Sequence, residues 1–131
     1  MDKKKILLID DEEDFGFFVK LNLERTGKYQ VFTATDGIEG IRLAKQLKPD
    51  LIFLDIVMPK MDGSRVAEIL RGDESTKNIP CVFVTAMIGY NNLAGYGGEI
   101  GERDFITKPV ISENLIEKIE QYFPAEKGSR R

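Results

Sequence analysis

Short apolar, β-branched runs alternate along this chain with segments of helical period: Ile6-Leu7-Leu8-Ile9, Tyr29-Gln30-Val31-Phe32, Leu51-Ile52-Phe53-Leu54, Cys81-Val82-Phe83-Val84 and Phe105-Ile106. Five strands separated by helices predict an α/β protein, a (βα)5 chain with a doubly wound parallel five-stranded sheet. The first, third and fourth runs are almost wholly apolar, as strands covered by helices on both faces must be, and belong at the centre. The Tyr29 run carries polar Gln30 and is followed by Thr33, and the Phe105 run is short, so both belong at edges. This distribution favours the order 2-1-3-4-5. Helix ends are expected at Gly27 after Arg25-Thr26 and at Pro49 after Lys45 and Lys48, with Ser112 opening Glu113-Asn114-Leu115-Ile116. In that last helix Leu115, Ile116, Ile119, Tyr122 and Phe123 fall on one stripe able to pack on the sheet.

At 131 residues the chain has the size of one domain. Residues 1–123 are expected to form it, with 124–131 as a polar, frayed tail. The longest apolar runs are far too short to span a membrane, and Met1-Asp2-Lys3-Lys4-Lys5 leads straight into a short apolar run and Asp10-Asp11, unlike a signal peptide. A cytoplasmic location is therefore expected. The lone Cys81 sits in an apolar stretch, where a buried inert thiol is the expectation over a reactive one. A net charge of −3 without a basic cluster beyond the termini gives no footprint for duplex nucleic acid. With no histidine in the chain, a His-based triad, a His-ligated metal and a phosphohistidine on this chain are all excluded.

The carboxylates carry the chemistry. Asp10-Asp11 follow the first strand directly and Asp55 follows the third. In an open parallel sheet ligands bind beyond the carboxyl ends of strands where the winding reverses, here between strands 1 and 3, so the three carboxylates are expected to converge. Without His or Cys nearby, such a group repels itself unless a cation is present, and all-oxygen ligation suits a hard octahedral ion, Mg²⁺. Alone, Asp10-Asp11 reads more readily as a helix cap with a solvated neighbour; Asp55 at the facing strand end reverses that preference toward a metal. Thr85 after strand 4 and Lys108 after strand 5 add a hydroxyl and an ammonium, which with a divalent ion could neutralise an acyl phosphate on one Asp. Singly, Thr85 could be a strand-end cap and Lys108 a surface charge.

Four motifs, Ile9-Asp10-Asp11-Glu12, Leu54-Asp55-Ile56-Val57-Met58-Pro59-Lys60-Met61-Asp62-Gly63, Val84-Thr85-Ala86 and Phe105-Ile106-Thr107-Lys108-Pro109, resemble the response-regulator receiver domains of two-component phosphorelay systems, chemotaxis regulators included. The resemblance spans about residues 4 to 123 and implies a flavodoxin-like fold. It implies that Asp55 is the phosphoryl acceptor, that Asp10, Asp11 and Asp55 hold Mg²⁺ with the backbone carbonyl of Val57, and that Thr85 and Lys108 bind phosphoryl oxygens. It further implies that Phe105 is an aromatic switch whose rotamer follows Thr85; by itself Phe105 reads as a core aromatic at an edge strand. The implied partners are a sensor histidine kinase or histidine phosphotransfer protein and a downstream target the sequence does not identify, with the chain a monomer or weak homodimer that promotes only its own phosphorylation and dephosphorylation.

Two other readings compete. A phosphatase or mutase resembling the haloacid dehalogenases would place a second Asp two residues after the nucleophile, where this chain has Val57. A degenerate receiver acting as a phosphorylation-independent binding module would not be expected to keep Asp10, Asp11, Asp55, Thr85 and Lys108 together. Four finer expectations follow. The Lys108-Pro109 peptide should be cis, turning Lys108 back toward Asp55, since only X-Pro bonds adopt cis cheaply. The stretch from Gly89 to Gly101 contains five glycines and should form the least stable helix. Val57 and Met87, at positions that flank the attacking water in the family, cannot orient it by hydrogen bonding, so the phosphorylated form should be long-lived unless both are mere rim packing. In the first helix, Glu13 to Arg25, Phe15, Phe18, Val19 and Leu23 share an arc with Asn22 that should face the sheet, leaving Phe17 and Leu21 as an exposed i, i+4 pair. Either these two are scattered surface apolar residues or they anchor the phosphodonor protein beside Asp55.

Overall fold

The computed structural model describes residues 2–86 and 105–124. Within them the elements run β1 (Lys4–Ile9), α1 (Glu13–Glu24), β2 (Tyr29–Ala34), α2 (Gly37–Leu47), β3 (Leu51–Leu54), α3 (Gly63–Arg71), β4 (Cys81–Thr85), β5 (Phe105–Thr107) and α4 (Ser112–Tyr122). All strand pairs are parallel and the order is β2-β1-β3-β4-β5, as the distribution of apolar runs predicts. The glycine-rich stretch from Gly89 to Gly101 lies outside the described residues.

The two-residue period of the strands divides the core into two layers. Leu7, Ile9, Ile52, Leu54 and Phe83 face Ala44 of α2 and Val66 and Leu70 of α3. Ile6, Leu8, Leu51, Phe53, Val82 and Val84 point the other way, against Val19 and Leu23 of α1 and Leu115 and Ile119 of α4. Every side chain of β3 is buried, which is why its run shows no polar alternation, whereas β2 leaves Gln30 and Thr33 exposed at the sheet edge.

Local chemistry sets the helix ends. Asp36 and Asp62 cap α2 and α3 by accepting from the backbone N–H of Glu39 and Arg65. Helix α2 stops at Lys48, which takes the left-handed conformation (φ 49°) one residue before Pro49, and α1 stops before Gly27 (φ 80°). Ser112 opens α4 as expected, directly after Ile111. One expectation needs correction. Phe18 does not face the sheet: it is 39% exposed and stacks on Phe15, ring centroids 6.4 Å apart. The buried line of α1 is instead Gly16, Val19 and Leu23, with Gly16 packed over Thr33, where an added Cβ would meet the threonine methyl at an ordinary van der Waals distance, 3.4 Å. Phe17 and Leu21 are left outward, 69% and 48% exposed, as their spacing predicts.

Candidate functional site

The carboxyl ends of β1 and β3 lie side by side, in register from Ile6 opposite Leu51 to Ile9 opposite Leu54. The next residue on each strand is therefore Asp10 and Asp55, and the Asp55 N–H donates to the carbonyl of Ile9 at 2.9 Å, fixing one strand end against the other. Oxygen atoms of Asp10, Asp11 and Asp55 lie within 4.8 Å of one another, with Asp10 and Asp55 buried and Asp11 exposed. Gly63 is needed just beyond the site. Its N–H donates to the Ile56 carbonyl at 2.8 Å, and a Cβ there would collide with the Asp55 carbonyl oxygen.

Lys108 reaches this cluster from the far side of the sheet. Its N–H donates to the Thr85 carbonyl at 2.8 Å and the following Lys108-Pro109 peptide is cis, as expected. The ammonium lies 2.9 Å from Asp10 Oδ2, 2.8 Å from Glu12 Oε1 and 4.0 Å from Asp55 Oδ2, and 4.6 Å from the centroid of the Phe15 ring. Thr85, the last residue of β4, is fully buried, and Phe105, opening β5, is 38% exposed rather than a core aromatic.

Burial and crowding of like charge dominate the electrostatics. Desolvation, then the charge of Asp10, push the Asp55 carboxyl up to about 7, against the pull of Lys108. Desolvation also raises Asp10, although the Glu12 N–H donates to its Oδ1 at 2.9 Å. Burial works to lower Lys108, but its bonds to Glu12 and Asp10 outweigh this and hold the ammonium above its ordinary value. Asp10 Oδ2 is buried and ion-paired with the Lys108 ammonium at 2.9 Å, and among the described residues it has no partner that meets strict hydrogen-bond geometry. Three carboxylates crowded at the strand ends, offset in this structure only by the one ammonium, form an all-oxygen donor set that fits a hard divalent cation.

The structure thus brings Asp10, Asp11, Asp55 and Lys108 together, and ties Thr85 to Lys108 through the backbone. Val57 is at the rim, 56% exposed, its N–H 3.4 Å from Asp55 Oδ1; Met87 lies outside the described residues. Phe17 lines a cleft of about 250 Å³ that extends to Asp10, and Leu21 sits one turn further along α1. Sequence reasoning gave no role to Glu12 or Phe15 at the ammonium; adjacency of Glu12 to the acidic pair was the only signal, and it carries no information about Lys108, 96 positions away. Cys81 is half-buried where a buried residue was expected, and desolvation pushes its thiol up to about 12, which keeps it protonated. No helix among the described residues is long and apolar enough to cross a membrane.

Similarity to known proteins follows the same lines. The chain is 36% identical over 115 residues to Protein PilH of Pseudomonas aeruginosa, an alignment covering 88% of this chain and 93% of PilH. It is 43% identical over 115 residues to the DNA-binding dual master transcriptional regulator RpaA of Synechocystis sp., covering 88% of this chain, and it spans about half of that relative's length, 47%. The chemotaxis protein CheY4 of Vibrio cholerae shares the fold with a TM-score of 0.81 at 27% identity, covering 92% of this chain and 98% of CheY4. The model of the response regulator receiver domain matches residues 6–120, and with the carboxylates gathered at the ends of β1 and β3 this chain belongs to that family, the phosphorylation-based signalling domains of two-component systems.

Proposed function

We propose that Asp55 accepts a phosphoryl group from a histidine kinase or a histidine phosphotransfer protein. The observation that carries this reading is the convergence of three carboxylates and one ammonium at the carboxyl edge of the sheet. An Asp55 carboxylate oxygen attacks phosphorus, the new O–P bond forms as the donor's N–P bond breaks, and the imidazole departs with the electron pair and is then protonated. Lys108, already 4.0 Å from Asp55 Oδ2, supplies positive charge to the phosphoryl oxygens, and the Thr85 hydroxyl supplies a hydrogen bond. Asp10, Asp11 and Asp55, with the backbone carbonyl of Val57, would hold Mg²⁺, which when bound neutralises charge on the carboxylates and the transferred group. The domain promotes only its own phosphorylation and dephosphorylation.

The output is a change of surface. Thr85 moves toward the phosphoryl oxygens, and Phe105, partly exposed in this state, turns into the space left behind, so that the surface around β5 switches between two packings. Phe17 and Leu21 anchor the helical phosphodonor beside Asp55. With Val57 and Met87 unable to orient a water, phosphorylated Asp55 is long-lived. The domain comprises residues 1–123, acts in the cytoplasm as a monomer or weak homodimer, and passes its signal to a downstream protein.

Incubation with Mg²⁺ and a small phosphodonor, followed by intact-protein mass measurement, tests the acceptor. Gain of one phosphoryl group on wild type and none on Asp55→Ala is expected; gain on both would place the acceptor elsewhere, and gain on neither would favour a binding module that signals without phosphorylation.

A further inference from the structure

Lys108 has more partners than phosphoryl transfer requires. Its side chain is only 14% exposed, yet its shortest contact is to Glu12 Oε1 at 2.8 Å, on a side chain that is 62% exposed, while Asp55 Oδ2 is the most distant of its three carboxylates at 4.0 Å. The Phe15 ring lies 4.6 Å from the ammonium, and an aromatic face attracts a cation. Among the described residues Glu12 makes no other side-chain hydrogen bond or ion pair. It is the residue before α1, but its side chain makes no cap hydrogen bond.

We infer that Glu12 is a positioning residue that holds the Lys108 ammonium short of Asp55 and competes with the incoming phosphoryl group for it. This rests on the reading of Asp55 as acceptor. An ammonium has three donors, and one of them is directed to Glu12. Engagement of a phosphoryl oxygen by Lys108 therefore weakens or breaks a charge-assisted bond to Glu12, and the transferred group must offer more than that carboxylate does. Because Glu12 is exposed, water screens the pair and its release is cheap, so Glu12 tunes the reaction without blocking it. Asp10 cannot play the same part, being buried in the carboxylate cluster itself.

Two substitutions separate a direct pair from simple repulsion of an anionic donor. Glu12→Gln removes the charge. Glu12→Asp keeps the charge but shortens the side chain by one carbon, about 1.5 Å of reach. Phosphorylation is followed against the concentration of acetyl phosphate, with intact mass as readout. Separately, the Lys108 ammonium cross-peak is observed in ¹H–¹⁵N spectra without Mg²⁺ or donor, assigned by its loss in Lys108→Ala. Both variants are expected to lower the half-saturating donor concentration up to about fivefold with little change in the limiting rate, and to weaken or abolish the cross-peak. If Glu12→Asp behaves as wild type while Glu12→Gln does not, the charge acts through space on the donor and the competition is overturned. Unchanged saturation and an unchanged cross-peak in both variants overturn it as well. Failure of wild type to gain a phosphoryl group would remove the acceptor reading and the competition together, an outcome distinct from either of these.

Discussion

Replacing Asp55 with Asn should stabilise the Mg²⁺-free protein, and by an amount that depends on pH. The unfolded chain ionises this carboxyl near 3.8, whereas in the folded protein burial and the charge of Asp10 push it up to about 7. Between those values the folded state binds the proton more tightly, so unfolding releases it and stability falls as pH rises; above about 7 both states are ionised and the loss levels off. At about 1.4 kcal/mol per pH unit the full loss is about 4 kcal/mol, a large fraction of the stability of a domain this size. Asn keeps the shape without the charge. Urea denaturation followed by far-ultraviolet circular dichroism, needed because the chain has no Trp, should find Asp55→Asn more stable than wild type by up to about 4 kcal/mol at pH 8 in chelator, and by less than about 1 kcal/mol at pH 4. Mg²⁺ should then stabilise wild type more than the variant. A difference that stays constant from pH 4 to pH 8, or a variant less stable than wild type at pH 8, would refute the assignment of this strain to a buried, crowded carboxylate.

Three further outcomes are expected. Replacing Phe17 and Leu21 together by Ser should slow phosphotransfer from the cognate donor protein at least about tenfold, as loss of an interface anchor does, while phosphorylation by acetyl phosphate stays intact; equal loss with both donors would indicate misfolding. Val57→Asn combined with Met87→Glu should shorten the lifetime of phosphorylated Asp55, measured by decay of the intact mass, and an unchanged lifetime would count against the proposed lack of water-orienting groups. On the open edge of β2, the outward N–H of Val31 donates to Glu24 Oε2 at 2.9 Å and its carbonyl accepts from Lys20 Nζ at 2.9 Å, so two α1 side chains cover the edge. Lys20→Ala with Glu24→Ala should cost about 1–2 kcal/mol in denaturant titration and promote self-association in sedimentation, because an uncovered strand edge pairs with another.

The amino-acid sequence by itself determined the sheet order and the position of the acidic cluster. Continuous apolar runs are tolerated only where helices cover both faces, which put the strands containing Leu8, Phe53 and Phe83 in the middle, and parallel winding then placed the residues after β1 and β3, Asp10 and Asp55, together at one edge. The spacing in α1 likewise determined that Phe17 and Leu21 point outward. Only the tertiary structure decided how α1 is rotated, because the packing of Gly16, Val19 and Leu23 depends on strands to which local periodicity is blind, and this turned Phe18 outward and set Phe15 beside Lys108. The ionisation of Asp55 was decided there too, since it depends on burial and on a neighbour 45 residues away in sequence. The pairing of Lys108 with Glu12 has the same origin: it exists because β5 and the start of α1 meet across the end of the sheet, a distance of 96 positions that no local pattern spans.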